Sequence, residues 1–206
     1  MIKKLKIGFI LLCSFLLPTL LVSQKEFDFY DNPIFGSKRI SLGQGTDGGF
    51  SLCIEGIDLE GQESEGGFMV NDKMYDSFIM NLKKAKAKYA EWDNVAKLND
   101  VKDVSKKMEF SNEVTAYWKS NNYNFNFNFN LSYFFRVSML EGKAVRQLII
   151  KGTEELKSSN NEFITHIGFA LIFLTPQDFS IFINKISKDK IEAFLNKPKV
   201  EDLFKD

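Results

Sequence analysis

Residues 123–137 read YNFNFNFNLSYFFRV, and this stretch decides the fold of the chain. Apolar residues occupy every second position, and asparagine or serine occupies most positions between them. Such a period of two is typical of a β-strand with one buried and one polar face, as found in antiparallel sheets. A straight strand of this length would span about 50 Å. We therefore expect a bend or a bulge, with Phe134, which falls on the polar register, as its candidate position.

The segments around this strand extend it into a four-stranded antiparallel meander. Residues 109–119 precede it, and residues 143–151 and 163–174 follow it, each with strand-like composition. Glu141 and Gly142 suit the turn after the long strand. Shorter strands are predicted nearer the N-terminus, separated by turn-forming residues. They fall at residues 27–30, 39–42, 50–57 and 67–70.

A long helix is predicted between the two groups of strands. Asn71 or Asp72 supplies its N-cap, and Asn99 with Asp100 ends it. Apolar residues recur at spacings of three and four, which gives one stripe about 40 Å long. The stripe consists of Met74, Phe78, Leu82, Ala85, Tyr89, Trp92 and Ala96. Residues 101–108 are expected to add a short helix.

The chain is also predicted to end in helices. Thr175 suits an N-cap, Pro176 suits the first helical position, and Asp178 places an acid in the first turn. Residues 191–195 and 200–204 continue as short helical pieces. The patterns together predict a single α+β domain over residues 24–206. In it the long helix and the C-terminal helices cover the aromatic face of an antiparallel sheet, because each layer must bury its apolar side.

Residues 1–23 are predicted to be a signal peptide. Three lysines precede an apolar run that is too short to cross a bilayer as a helix, and Ser23 is a suitable residue before a cleavage point. The chain is therefore expected to be exported, to the periplasm or the cell exterior. Leu21 does not suit the cleavage motif, so an uncleaved N-terminal anchor that tethers the protein remains the alternative.

Removal of this leader changes the charge of the chain. The full sequence has 27 Lys+Arg and 27 Asp+Glu, and the leader contains three lysines and no acid. The mature chain therefore carries 24 basic and 27 acidic residues, a formal charge of −3. This balance gives no indication of nucleic acid as a partner. After cleavage no membrane-spanning segment is expected.

Several motifs are tested for chemistry and interpreted as structural. Cys53 is the only mature cysteine, and a packed thiol is the preferred interpretation. Residues 43–48 match G-x-G-x-x-G, but a strand-like segment follows where a nucleotide site requires a helix, so a hairpin loop is preferred. The acidic loop at residues 58–65 lacks the spacing of a calcium loop and is interpreted as a solvated turn. No metal or cofactor is therefore predicted.

The remaining polar candidates are a histidine, a lysine run and an asparagine ladder. His166 is the only histidine and is interpreted as a hydrogen-bonded residue of the sheet. The lysines of residues 83–88 are interpreted as a solvated helix face. The asparagines at alternate positions of residues 124–130 could bind polar ligands such as glycans or pair with a partner's strand. Their preferred interpretation is the wet face of a sheet.

Two functions remain open. The first is an exported, non-enzymatic binding or interaction domain whose partner is a protein, a glycan or an apolar small molecule. An apolar ligand would occupy a cavity between the sheet and the long helix, enclosed by Trp92, Trp118 and the face of Phe125, Phe127 and Phe129. The second is a secreted hydrolase with a site built from His166 and acids around Glu55 and Asp58. The first is favoured because no catalytic residue can be assigned.

Overall fold

The computed structural model describes residues 24–44, 48–62 and 64–197. The architecture is α+β, as predicted: a nine-stranded antiparallel sheet, a sheet of two short strands, a long helix and two C-terminal helices. The predicted leader and the helical piece predicted at residues 200–204 lie outside the described residues. No helix among the described residues is long and apolar enough to cross a membrane.

The elements follow one another along the chain with short connections. The strands are β1 (Lys25–Asn32), β2 (Gly36–Gln44), β3 (Phe50–Glu55), β4 (Ile57–Asp58), β5 (Gly66–Asn71), β6 (Val104–Lys119), β7 (Tyr123–Leu140), β8 (Lys143–Gly152), β9 (Leu156–Lys157), β10 (Thr165–His166) and β11 (Phe169–Phe173). The helices are α1 (Asp72–Leu98), α2 (Pro176–Lys185) and α3 (Lys188–Leu195).

The large sheet has the order β1-β2-β3-β5-β6-β7-β8-β11-β4. The predicted meander is confirmed as β6, β7, β8 and β11, and the N-terminal strands join the same sheet. Only Gly56 separates β3 from β4, yet β4 pairs with β11 near the far end of the order. The sheet therefore curls until its ends meet. A Cβ atom at Gly56 would lie 2.7 Å from the Cβ of Phe169, so this junction requires glycine.

Helix α1 forms as predicted at both ends. The side chain of Asn71 caps it by accepting a hydrogen bond from the Met74 N–H at 3.0 Å, and Asn99 is the C-cap. Asp100 has a φ of 47°, which turns the chain out of the helix. The predicted short helix at residues 101–108 is wrong, because Val104 already pairs with Val137 of β7. Strand pairing over this distance overrides a local helical pattern.

The core lies between the concave side of the sheet and the helices. Phe78 and Tyr89 of α1 and Tyr133 of β7 are fully buried. The Tyr89 ring lies 6.0 Å from the ring of Phe135, and its hydroxyl contacts the backbone carbonyl of Phe173 at 3.0 Å. Thr175 caps α2 as predicted, by accepting a hydrogen bond from the Asp178 N–H. Aromatic side chains from both layers therefore pack directly against each other.

The alternation in β7 does not continue unbroken. Asn128 has a φ of 53°, and the β6–β7 register shifts between Val114 and Ala116 of β6. A shift of one residue exchanges the two faces of a strand. Phe127 is consequently 48% exposed and Asn124 is buried, so the prediction that Phe127 shares the buried face with Phe129 is wrong.

The irregularity predicted at Phe134 of β7 lies elsewhere in the structure. Phe134 pairs regularly with Lys107, and the second shift of the β6–β7 register lies in β6, between Lys107 and Ser111. The bulge within β7 itself is at residues 127–128. The long strand is thus irregular, as its length indicated, but the position follows from pairing with β6 rather than from the polar register.

Candidate functional site

The strand β7 loses its neighbour on one side part-way along its length. Leu131 is the last β7 residue to pair with β8, opposite Gly152, where β8 ends. The chain then leaves the sheet and returns to β7 at Lys157, whose N–H donates to Oδ1 of Asn126 at 2.7 Å. Between these two contacts, residues 127–130 have no strand partner on the side of β8 within the described chain. The opening is therefore closed at both ends.

A cleft of about 590 Å³ occupies this opening, and we call it the asparagine cleft. One wall is β7, which contributes Asn126, Asn128 and Asn130 together with the ring of Phe129. The facing wall is the segment at residues 153–157, which contributes a threonine, two glutamates and a lysine. Asparagine amides thus face charged and hydroxyl groups across the opening.

Six exposed polar side chains in the asparagine cleft make no hydrogen bond or ion pair within the described part of the chain. They are Asn128, Asn130, Thr153, Glu154, Glu155 and Lys157. Glu65, elsewhere on the surface, shows the contrast: its carboxylate accepts hydrogen bonds from Arg39 at 2.8 Å and from the hydroxyl of Tyr123 at 2.9 Å. The polar atoms of these side chains therefore make no contact that supports the fold.

The asparagine ladder is divided by the bulge. Asn124 is buried and accepts a hydrogen bond from Oγ of Ser158 at 3.0 Å, so it anchors the returning chain. The side-chain oxygen of Asn126 likewise accepts a hydrogen bond from the Lys157 N–H, and Asn126 also lines the cleft. The side chains of Asn128 and Asn130 have no hydrogen-bond partner in the part of the chain that the structure describes. Three of the four predicted ladder residues thus reach one site.

The structure also brings His166 to two carboxylates of the acidic loop. Its Nε2 atom lies 3.4 Å from Oδ1 of Asp58 and 3.8 Å from Oε2 of Glu60. The imidazole ring stacks on Phe169, with ring centroids 4.6 Å apart, and is buried. Glu55, the other acid considered with them, instead contacts the ammonium group of Lys38 at 3.6 Å.

The hydrogen bonding of His166 does not suit nucleophilic catalysis. The Gly168 N–H donates to Nδ1 at 2.8 Å, which assigns the proton of the neutral ring to Nε2. A triad histidine needs one nitrogen on a carboxylate and the other on a nucleophile, but here a backbone amide occupies that other nitrogen. With its proton in place, Nε2 also has no lone pair for a metal ion. Among the described residues, no group of three or more His, Cys, Asp or Glu side chains could hold one.

The acidic loop is fastened to β10 and the residues after it, an arrangement we call the histidine latch. Asp58 accepts hydrogen bonds from the N–H groups of Glu60 and Ser64, both at 2.8 Å, and Glu60 accepts one from Ile167 at 2.7 Å. Burial raises the pKa of Asp58, but these backbone hydrogen bonds and nearby His166 outweigh it. The pKa is held below its ordinary value of 3.8. The described residues of this loop are thus held in place by hydrogen bonds to Asp58 and Glu60.

Two other predicted residue sets also lie apart from the asparagine cleft. Cys53 is buried, and burial raises the pKa of its thiol to about 12, which suppresses the reactive thiolate. The lysines at positions 83, 84, 86 and 88 are exposed on α1. Trp92 lies beside them, with the ammonium groups of Lys88 and Lys106 at 5.8 and 4.5 Å from its ring.

The facing wall of the asparagine cleft was not found from the sequence. Residues 153–157 carry no motif, and their position depends on where β8 ends. The only local signal is Gly152, which interrupts the strand-like composition.

No protein-family model, curated protein or solved structure matches this chain.

Proposed function

We propose that this chain is an exported, non-enzymatic binding domain whose ligand site is the asparagine cleft. One observation carries this proposal: Asn128, Asn130 and two glutamates converge on an opening in the sheet and have no partner within the described residues. Polar side chains placed around a concave site fix the orientation of a ligand. Export rests on the predicted leader.

The geometry around His166 favours binding over hydrolysis. Its Nε2 atom is buried and has no hydrogen-bond partner among the described residues, and its Nδ1 atom is taken by Gly168. A substrate therefore has no route to a basic nitrogen. The histidine latch is better explained as a device that orders the loop, which leaves the asparagine cleft as the site with unused chemistry.

The shape of the asparagine cleft favours a compact ligand over a partner's strand. An added strand needs about 4.8 Å of space on each side along its whole length. Here the opening closes where Leu131 pairs with Gly152 and again where Lys157 bonds to Asn126. An apolar ligand under α1 is also disfavoured, because side chains such as Phe78 and Tyr89 are fully buried there.

A fragment screen followed by NMR tests this proposal. Compact polar fragments are expected to shift the side-chain amide signals of Asn128 and Asn130. Thr153→Trp, which fills the exposed wall of the cleft, should abolish these shifts. Ser77→Trp places the same bulk on the exposed face of α1 and should leave them unchanged. Fragments that bind only elsewhere would contradict the proposal, as would ester, peptide or glycoside hydrolysis that is lost in His166→Gln.

A further inference from the structure

We infer that the asparagine cleft takes a neutral saccharide, an inference that rests on the proposed binding function. The unpartnered groups are of mixed type: the amides of Asn128 and Asn130 both donate and accept, the carboxylates of Glu154 and Glu155 accept, and Lys157 donates. A ligand whose groups both donate and accept from one atom matches this mixture in any orientation of its partners. Hydroxyl groups do so, and a saccharide presents several on one small ring.

Phe129 lines the cleft, but its side chain is only 5% exposed, so it forms part of the floor of the cleft rather than an open ring face. A Cβ atom at Gly152 would lie only 1.8 Å from Cζ of Phe129, so the ring lies directly across this glycine. Gly152, at the end of β8, therefore leaves the space that the Phe129 ring occupies.

The charge of the asparagine cleft disfavours the main competing class, anionic ligands. Glu154 and Glu155 are two acids against the single base Lys157, and none of the three forms an ion pair within the described residues. A phosphate or carboxylate ligand would therefore meet net repulsion. A cationic amine is the competing ligand that the charges leave open, and the experiment must separate it from a saccharide.

Titration with defined probes makes this separation. The neutral probes are glucose, galactose, mannose and N-acetylglucosamine, with galacturonate as the anionic probe and spermidine as the cationic one. Binding is measured by isothermal titration and by the side-chain amide signals of Asn128 and Asn130. At least one neutral sugar is expected to bind the cleft, and galacturonate is expected to bind more weakly than galactose.

Variants of the full chain test which groups carry the sugar. Asn128→Gly removes an amide and tolerates the same backbone conformation, and Asn130→Ala removes the other. Each should weaken sugar binding about ten-fold, as expected for loss of one or two hydrogen bonds. Asn94→Ala, on the exposed side of α1, should have no effect.

The outcomes separate the ligand class from the site. If spermidine alone binds and Glu154→Gln abolishes that binding, the site takes amines and the saccharide inference is overturned. If fragments bind the asparagine cleft but none of the neutral sugars does, the inference fails while the proposed function stands. If neither fragments nor sugars reach the cleft, both fail.

Discussion

At the scale of single residues, the backbone conformation of Asn128 marks the point where the two faces of β7 exchange. Its φ of 53° lies in the left-handed region, which most side chains avoid and asparagine tolerates. Beyond this residue the strand buries Phe129, Leu131 and Tyr133. Before it, Phe127 is exposed and Asn124 faces inward. The bulge at this residue thus separates the buried anchor Asn124 and the exposed Phe127 from the part of β7 that packs in the core.

Substitutions at Asn128 should show the cost of this conformation. Asn128→Ala is expected to lower the free energy of unfolding by about 1 kcal/mol relative to Asn128→Gly, because alanine has a Cβ atom and glycine does not. Urea denaturation of both variants measures the difference. Asn130→Ala, where φ is not positive, serves as the control and should show little loss. Equal stability of the glycine and alanine variants at position 128 would contradict this assignment.

At the scale of elements, the sequence predicts what depends on local pattern. The caps at Asn71 and Thr175, the end of α1 at Asn99 and the turn at Glu141 and Gly142 were all predictable, because each rests on the chemistry of a few neighbouring residues. The alternation in β7 likewise predicted a half-buried strand.

Features that depend on pairing between distant strands could not be predicted. The bulge at residues 127–128 follows from the register with β6, and residues 101–108 form no helix because β6 begins at Val104. The asparagine wall of the cleft was visible in the sequence, but its facing wall at residues 153–157 was not. Period-two patterns do not specify where a neighbouring strand ends.

The histidine latch gives the acidic loop a predictable response to pH. Because the folded-state pKa of Asp58 lies below its ordinary value of 3.8, ionised Asp58 stabilises the fold. This contribution is fully present above the unfolded-state pKa. It is lost as the pH falls from there through the lower folded-state pKa.

Asp58→Asn should therefore destabilise the protein at neutral pH and do so less in acid. At pH 7 we expect the free energy of unfolding to fall by about 2 kcal/mol, because Glu60 and Ser64 donate to different oxygens of Asp58 and asparagine keeps only one acceptor oxygen, which leaves one N–H facing an amide NH2 group. At pH 3 the difference in the free energy of unfolding between variant and wild type should be smaller, because partial protonation of Asp58 weakens its hydrogen bonds in the wild type as well. Urea denaturation at both pH values measures this, with Asp103→Asn, on an exposed connection, as the control. If the stability difference between Asp58→Asn and the wild type were equal at both pH values, ionisation of Asp58 would not contribute to the stability of the fold.

At the scale of the whole molecule, the two ends of the sheet are joined by side chains as well as by β4. Asn32, at the end of β1, is buried and donates through Nδ2 to the Ile172 carbonyl of β11 at 2.7 Å. Its Oδ1 accepts from the N–H groups of Ile34 and Phe35, which forms the turn to β2. The edge hairpin is thus fastened across 140 residues of sequence.

An aspartate at position 32 separates these two tasks. Asn32→Asp keeps the acceptor that forms the turn but replaces the buried donor with a carboxylate that faces the Ile172 carbonyl. We expect the free energy of unfolding at pH 7 to fall by about 3 kcal/mol, because a charge is buried without a donor. Asn161→Asp is the matched control, since the exposed Asn161 also accepts from a turn N–H, that of Phe163. Chemical denaturation compares the two. If Asn32→Asp lost no more stability than Asn161→Asp, the contact with Ile172 would not help to close the sheet, and pairing between β4 and β11 would carry closure instead.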